Sequence, residues 1–124
     1  TLIHALKAAK SPYNVNTMSQ IVGSIIFDHP EYINECIVKI RASRDALYND
    51  MLALKERQPK IKSLMNTNSN FVYMEVEDAA GAFQALREQG IAIRLMKNYL
   101  RICAGSEEEN AAMLNALETY LKGA

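Results

Sequence analysis

The chain has 124 residues, 49% of them apolar, with 14 basic and 14 acidic side chains and no net charge at neutral pH. A length of this kind is expected to fold as one domain and to bury roughly two-thirds of its unfolded surface without disulfide or metal staples. With no bulk field to attract nucleic acid or an anionic membrane, any anion site must be local.

Cys36 and Cys103 form no CxxC pair. This argues against a zinc ribbon or a thioredoxin-like motif and suits a reducing, cytoplasmic environment. No apolar run approaches the ~18 residues of a membrane span, and the first residues lack the apolar core and cleavage site of a secretory signal. The chain has no initiator methionine and opens in a helical pattern, which reads as an upstream part having been cut away.

Leu2, Ile3, Leu6 and Ala9 mark a first helix that ends before Pro12, because the residue preceding proline is pushed out of the helical region. A connector with turn chemistry follows, Ser11-Pro12-Tyr13-Asn14-Val15-Asn16. Asn16 is placed to cap a second helix, with Met18, Ile21, Val22, Ile25 and Ile26 at helical spacing. Gly23 within it predicts a close packing contact, since glycine costs about 1 kcal/mol against alanine in a helix. Asp28-His29-Pro30-Glu31 reads as a fresh start, with Asp28 as the cap. From there Ile33, Ile37, Ile40, Leu47, Met51 and Leu54 form one stripe of a long helix reaching to about Arg57. Arg44 interrupts that stripe, which fits a side chain snorkelling at the edge of the contact or an ion pair between elements.

The period then changes. Ile61, Ser63 and Met65 alternate, Asn66 to Asn70 is rich in turn formers, and Phe71 to Val76 is a strong strand. Asp78 is placed to cap a helix from Ala79 to about Gln89, with Gly90 as its stop. Ile91–Arg94 and Tyr99–Cys103 are read as two further strands. Ser106 caps a last helix whose stripe is Met113, Leu114, Leu117 and Leu121. The fold class is α+β: a mainly antiparallel sheet packed against helices, one of them very long.

The chemistry concentrates in the two arginine strands. If Lys97-Asn98 is a two-residue turn, Arg94 and Arg101 face each other across the ladder with Cβ atoms about 5 Å apart. Like charges so placed call for a bridging anion or for carboxylates, and guanidinium forks suit carboxylate and phosphate. Two readings stay open from the pattern. Either the pair binds an anionic ligand, or both arginines lie on a solvated face and pair with Glu75 or Glu77, which is the plainer reading. Ser106 with Glu109 forms a capping box, so the Gly105-Ser106 helix start is read as structural and not as an anion site. His4 and His29 have no ligand-spaced neighbours, so no metal is expected. Both cysteines are read as core residues. Tyr13 and Asn14 fit either a plain turn or a connector that meets a ligand.

Pro12 to Asn16, Thr67 to Val72, Gly90 to Arg94 and Tyr99 to Asn110 occur in an order that resembles the C-terminal part of histidinol-phosphate aminotransferases, fold-type I enzymes dependent on pyridoxal phosphate. The resemblance covers essentially the whole chain, and the paired arginine segments ending in Gly-Ser-Glu-Glu-Glu-Asn are its most specific element. It implies that residues 1–27 lead out of a large domain and that 28–124 form the small α+β domain. It implies that Arg101 receives the acidic group of the substrate, that Arg94 assists at the phosphate, and that Tyr13 and Asn14 pass near the cleft. The parent enzyme would be a homodimer in histidine biosynthesis, transferring an amino group between a phosphorylated amino substrate and a 2-oxo acid (histidinol phosphate with 2-oxoglutarate, giving imidazole acetol phosphate and glutamate).

The cofactor lysine and the other cofactor contacts of the family belong to the large domain. Neither Lys7 nor Lys10 is nominated in their place, and the chain alone is expected to bind no cofactor and to be inactive. The connection Leu95-Met96-Lys97-Asn98 is shorter than the family's usual one, so a loop that covers the substrate is shortened here. A related threonine-phosphate decarboxylase and a stand-alone module binding a small anion or amino acid are the alternatives.

Overall fold

A computed structural model describes residues 1–9 and 15–123. The elements are α1 (Leu2–Ala9), α2 (Thr17–Phe27), α3 (Pro30–Arg57), β1 (Ile61–Met65), β2 (Phe71–Val76), α4 (Ala79–Glu88), β3 (Arg94–Met96), β4 (Tyr99–Cys103) and α5 (Glu107–Gly123). The class is α+β, as the alternation of periods predicts. The chain divides into two compact units, Thr1–Glu35 and Cys36–Ala124.

In the first unit α1 and α2 bury none of their residues, and Leu2, Leu6, Ile25 and Phe27 are exposed. Asn16 caps α2 as expected, its side-chain oxygen accepting from the Ser19 N–H at 2.9 Å. Asp28 plays a different part from the one predicted. It ends α2, its N–H donating to the Ile25 and Ile26 carbonyls. The next helix begins at Pro30, where a missing N–H costs nothing because the first turn has no acceptor for it. The contact expected at Gly23 is also not found: a Cβ there would meet nothing within 4 Å among the described residues.

The second unit is a four-stranded antiparallel sheet in the order β1-β2-β4-β3. Alternation along β2 and β4 turns Val72, Met74, Val76, Leu100 and Ile102 to one face. There they meet Leu47, Met51 and Leu54 of α3, Ala82 and Leu86 of α4, and Met113, Leu117 and Leu121 of α5. All three helices cover this one face. Leu47, Leu100 and Leu117 are fully buried, so truncating any of them to alanine is expected to cost about 2–5 kcal/mol.

The third strand differs from its expected span. It covers Arg94–Met96, not Ile91–Arg94. Gly90, at φ 78, ends α4 as predicted, but the Ile91 N–H then turns back to the Leu86 carbonyl at 3.0 Å. With that donor committed to the helix end, pairing begins only at Arg94, and it closes through Lys97-Asn98 with Lys97 at φ 57. The tight turn brings Arg94 opposite Arg101, the register the residue arithmetic anticipates.

Helices α4 and α5 are latched at the sheet end. Asp78 caps α4 through the Gly81 N–H at 2.9 Å and accepts a second bond from the Tyr120 hydroxyl of α5 at 2.8 Å. The Gly81 N–H, then the Tyr120 hydroxyl, hold the Asp78 carboxyl below its ordinary value, and the same Asp78 contact raises the Tyr120 phenol. Asp78 is thus more acidic folded than unfolded, so its stabilisation is present at neutral pH and disappears as pH falls through the folded value. Tyr120 is less acidic folded, so its stabilisation disappears as pH rises through the raised value. Thermal melts across acid pH should show a flatter acid limb for Asp78→Asn than for the parent chain. A Cβ on Gly81 would collide with both the Asp78 carboxylate and the Tyr120 hydroxyl. Gly81→Ala should therefore lower the Tm, and an unchanged Tm would show that the latch is not formed in solution.

Candidate functional site

The alternation that buries Val72 and Leu100 leaves the other side of the sheet without a covering helix in this unit. Phe71, Tyr73, Tyr99, Arg101 and Cys103 stand on that open face. Tyr73 pairs with Arg101, and Arg101 with Arg94, so one row across the sheet carries a phenol and two guanidiniums. Phe71 and Tyr73 meet edge to face with ring centres 5.2 Å apart, and Tyr73 meets Tyr99 in the same manner at 6.4 Å.

Arg101 is the best-defined member. Its guanidinium carbon lies 5.1 Å over the Phe71 ring, a cation–π contact. Its Nε is buried and has no hydrogen-bond partner among the described residues. A buried donor left unmade costs about 1–3 kcal/mol, and more where it carries charge. Pairing with nearby acids, the plainer reading from the sequence, does not occur. Glu75 accepts from the Ser63 hydroxyl at 2.8 Å, and Glu77 lies 3.7 Å from Lys62. Among the described residues neither Arg94 nor Arg101 has a carboxylate within 4.0 Å. The arrangement is a cationic row with an open hydrogen-bonding edge, suited to a small anion carrying an apolar or aromatic body.

Other expected residues fall out differently. Tyr13 and Asn14 lie outside the described residues. Cys103 is exposed and not in the core, because it shares the open face with Arg101 two positions earlier on the strand. The Ser106–Glu109 capping box is present in both directions, at 2.8 and 3.2 Å. The Glu108 carboxyl is lowered by backbone N–H bonding in that first turn and by Ser106. No group of His, Cys, Asp or Glu among the described residues is arranged to hold a metal ion.

Sequence reasoning underrated the middle of α3. Arg44 neither snorkels nor pairs with another element. Its side chain is 13% exposed, bonded to its neighbour Asp45 at 2.8 Å and donating to the carbonyls of Thr67 and Ser69. Ser43 donates to the Gly105 carbonyl at 2.6 Å and accepts from buried Asn110, whose own oxygen accepts from the Gly105 N–H. The available signal was a charged residue in an apolar stripe, with a serine beside it.

Residues 1–117 match the family described as aminotransferase class I and II, and the chain belongs to that family. The similar curated proteins are histidinol-phosphate aminotransferases. That of Clostridium kluyveri is 34% identical over 98% of this chain and 34% of its own length. That of Clostridium novyi is 36% identical over 95% of this chain and 33% of its own. The solved histidinol-phosphate aminotransferase from Clostridium acetobutylicum superposes with a TM-score of 0.73 at 22% identity, covering 96% of this chain and 37% of that one. An acetylornithine aminotransferase from Elizabethkingia anophelis shares the fold, with a TM-score of 0.63 at 15% identity over 73% of this chain and 26% of that one. The chain thus spans about a third of the length of the curated relatives it matches.

The family implies pyridoxal phosphate, and the side chains described here do not compose a site for it. Lys7 stands exposed on α1, Lys60 donates to the Leu121 carbonyl, and Lys62 and Lys122 are tied to Glu77 and Glu118. Lys97 lies in the turn between the two arginine strands, and among the described residues it has no carboxylate within 4.0 Å to support cofactor chemistry.

The unscreened Arg94–Arg101 pair has a measurable consequence. Like charges directly opposite on a ladder cost roughly 0.2–1 kcal/mol. Arg94→Gln should therefore raise stability slightly in denaturant titrations at low salt, and the gain should shrink at high salt as screening removes the repulsion. A gain that does not change with salt would show that it does not come from repulsion between the two charges.

Proposed function

We propose that this chain is the substrate-binding small domain of a pyridoxal-phosphate-dependent aminotransferase acting on histidinol phosphate, with 2-oxoglutarate and glutamate as the other amino-group pair. Residues 28–124 make up that domain and residues 1–27 lead into it from the cofactor-bearing part. The observation that carries this reading is Arg101: a half-buried guanidinium levelled on Phe71, with a buried Nε that no group of the described protein accepts from. A phosphate or carboxylate oxygen supplies both the missing acceptor and the missing charge. Arg94, across the ladder, contributes a second cation to the same anion; Tyr13 and Asn14, which lie outside the described residues, are assigned to the cleft by the family resemblance alone.

The relatives named above support an aminotransferase over a decarboxylase. The apolar residues left uncovered on α1 and α2 support a partner surface in the remainder of the protein, and the family supports a homodimeric parent in the cytoplasm. Pyridoxal phosphate, when bound, supplies the electron sink for moving the amino group. What this chain's residues do is hold the substrate's acidic end and offer Phe71 and Tyr73 beside it as a surface for its body.

In the full-length protein, Arg101→Ala should lower kcat/KM for histidinol phosphate by about two orders of magnitude or more, as for a charged hydrogen-bonded pair that loses one member. Cofactor absorbance should be unchanged. The 124-residue chain assayed alone should show no transamination. A full-length Arg101→Ala enzyme with near-normal kcat/KM would remove Arg101 from the substrate site.

A further inference from the structure

We propose that Arg44 is a positioning residue for the arginine site, acting through the 66–70 segment to set Phe71 beneath Arg101. Arg44 sits on α3, on the far side of the sheet from that site, yet its guanidinium is bonded around its edge. One nitrogen donates to the carbonyls of Thr67 and Ser69, and the Nε and the other terminal nitrogen hold Asp45. The segment so held runs directly into Phe71. The Thr67 hydroxyl donates to the Phe71 carbonyl and accepts from the Ser69 N–H, and the Asn70 carbonyl accepts from the Ala104 N–H at 2.9 Å.

The backbone on both sides of the Phe71–Cys103 pair is therefore tied to atoms that Arg44 anchors. The opposite end of β2 is secured independently by its pairing with β1 and by the Glu77 N–H on the Lys60 carbonyl. Loosening Arg44 frees the Phe71 end alone. Phe71 is the ring over which the Arg101 guanidinium lies, so the placing of the anion-binding edge depends on a residue that touches no ligand. A lysine cannot replace it, because one ammonium on a flexible stem cannot hold two carbonyls and a carboxylate in a fixed plane.

The test uses the 15N-labelled 124-residue chain. The Phe71 ring current displaces the Arg101 Nε–H resonance, which is assigned by its loss in Arg101→Lys. In Arg44→Lys that displacement should be lost while the amide signals of Leu47, Met74 and Leu100 stay in place, and inorganic phosphate should bind about tenfold more weakly, a change of about 1.4 kcal/mol. If Arg44→Lys does not fold, Thr67→Val decides, since it removes only the hydroxyl that reaches the Phe71 carbonyl. An Arg101 resonance that keeps its ring-current displacement in the folded variant used overturns the proposal. The phosphate arm rests on the substrate role proposed for Arg101. If the parent chain binds no phosphate while the resonance still depends on Arg44, that role loses its support and the positioning link stands.

Discussion

The pairing of β2 with β4 is the constraint on which the rest depends. Its inward side chains, Val72, Met74, Leu100 and Ile102, are each buried to 2% exposure or less. Each contributes on the order of 1.5–3 kcal/mol relative to an exposed side chain. A slip of one residue would turn all of them to solvent and drive Tyr73 and Arg101 under the helices. Burying an unpaired guanidinium costs several kcal/mol more. Both effects act in the same direction, so the face that carries the arginine row is chosen by what the opposite face buries. The composition of this surface is a by-product of how strongly the core fixes register.

The row that results is not electrically self-sufficient. Cation–π contact with Phe71 contributes about 0.5–2 kcal/mol, comparable with the about 1–3 kcal/mol cost of a buried donor left open. Repulsion from Arg94 adds to the deficit, and the nearest acids are engaged elsewhere with Ser63 and Lys62. A surface whose charge and hydrogen bonding are both incomplete is completed by something outside the chain. The apolar side chains exposed on α1 and α2 tell the same story in hydrophobic terms, and the chain matches only about a third of its relatives' length.

Much of this was legible from residue order. Period-2 alternation in Phe71–Val76 and helical spacing in α3 and α5 carry strong burial differences, so those elements could be read directly, while the facing of Arg94 and Arg101 followed only on the condition of a two-residue turn at Lys97-Asn98, which the register meets. The departures share a cause: a local donor with a nearer partner than the pattern assumed. The Ile91 N–H bonds back to α4 and so delays β3, and the Asp28 N–H closes α2 in preference to Asp28 opening α3. Cys103 looked like a core residue by composition, but strand alternation overrides composition at a single position. Arg44 was visible as an irregularity in the stripe, while its partners are backbone carbonyls of Thr67 and Ser69, which no side-chain pattern reveals. Tyr13 and Asn14 fall outside the described residues and rest on resemblance.

The Gly-Ser-Glu-Glu-Glu-Asn ending can be assigned its part on the same grounds. A helix N-terminus beside a glycine invites an anion. Here Glu109 closes the capping box with Ser106, and Glu107 and Glu108 place negative charge in the first turn. A phosphate approaching that turn meets like charges and donors already in use. Asn110, meanwhile, is buried and bonds both Ser43 and the Gly105 N–H, so the segment anchors the end of β4 to α3. Its acidity therefore disfavours an anion at the helix start, while its asparagine ties the end of the strand carrying Arg101 to α3.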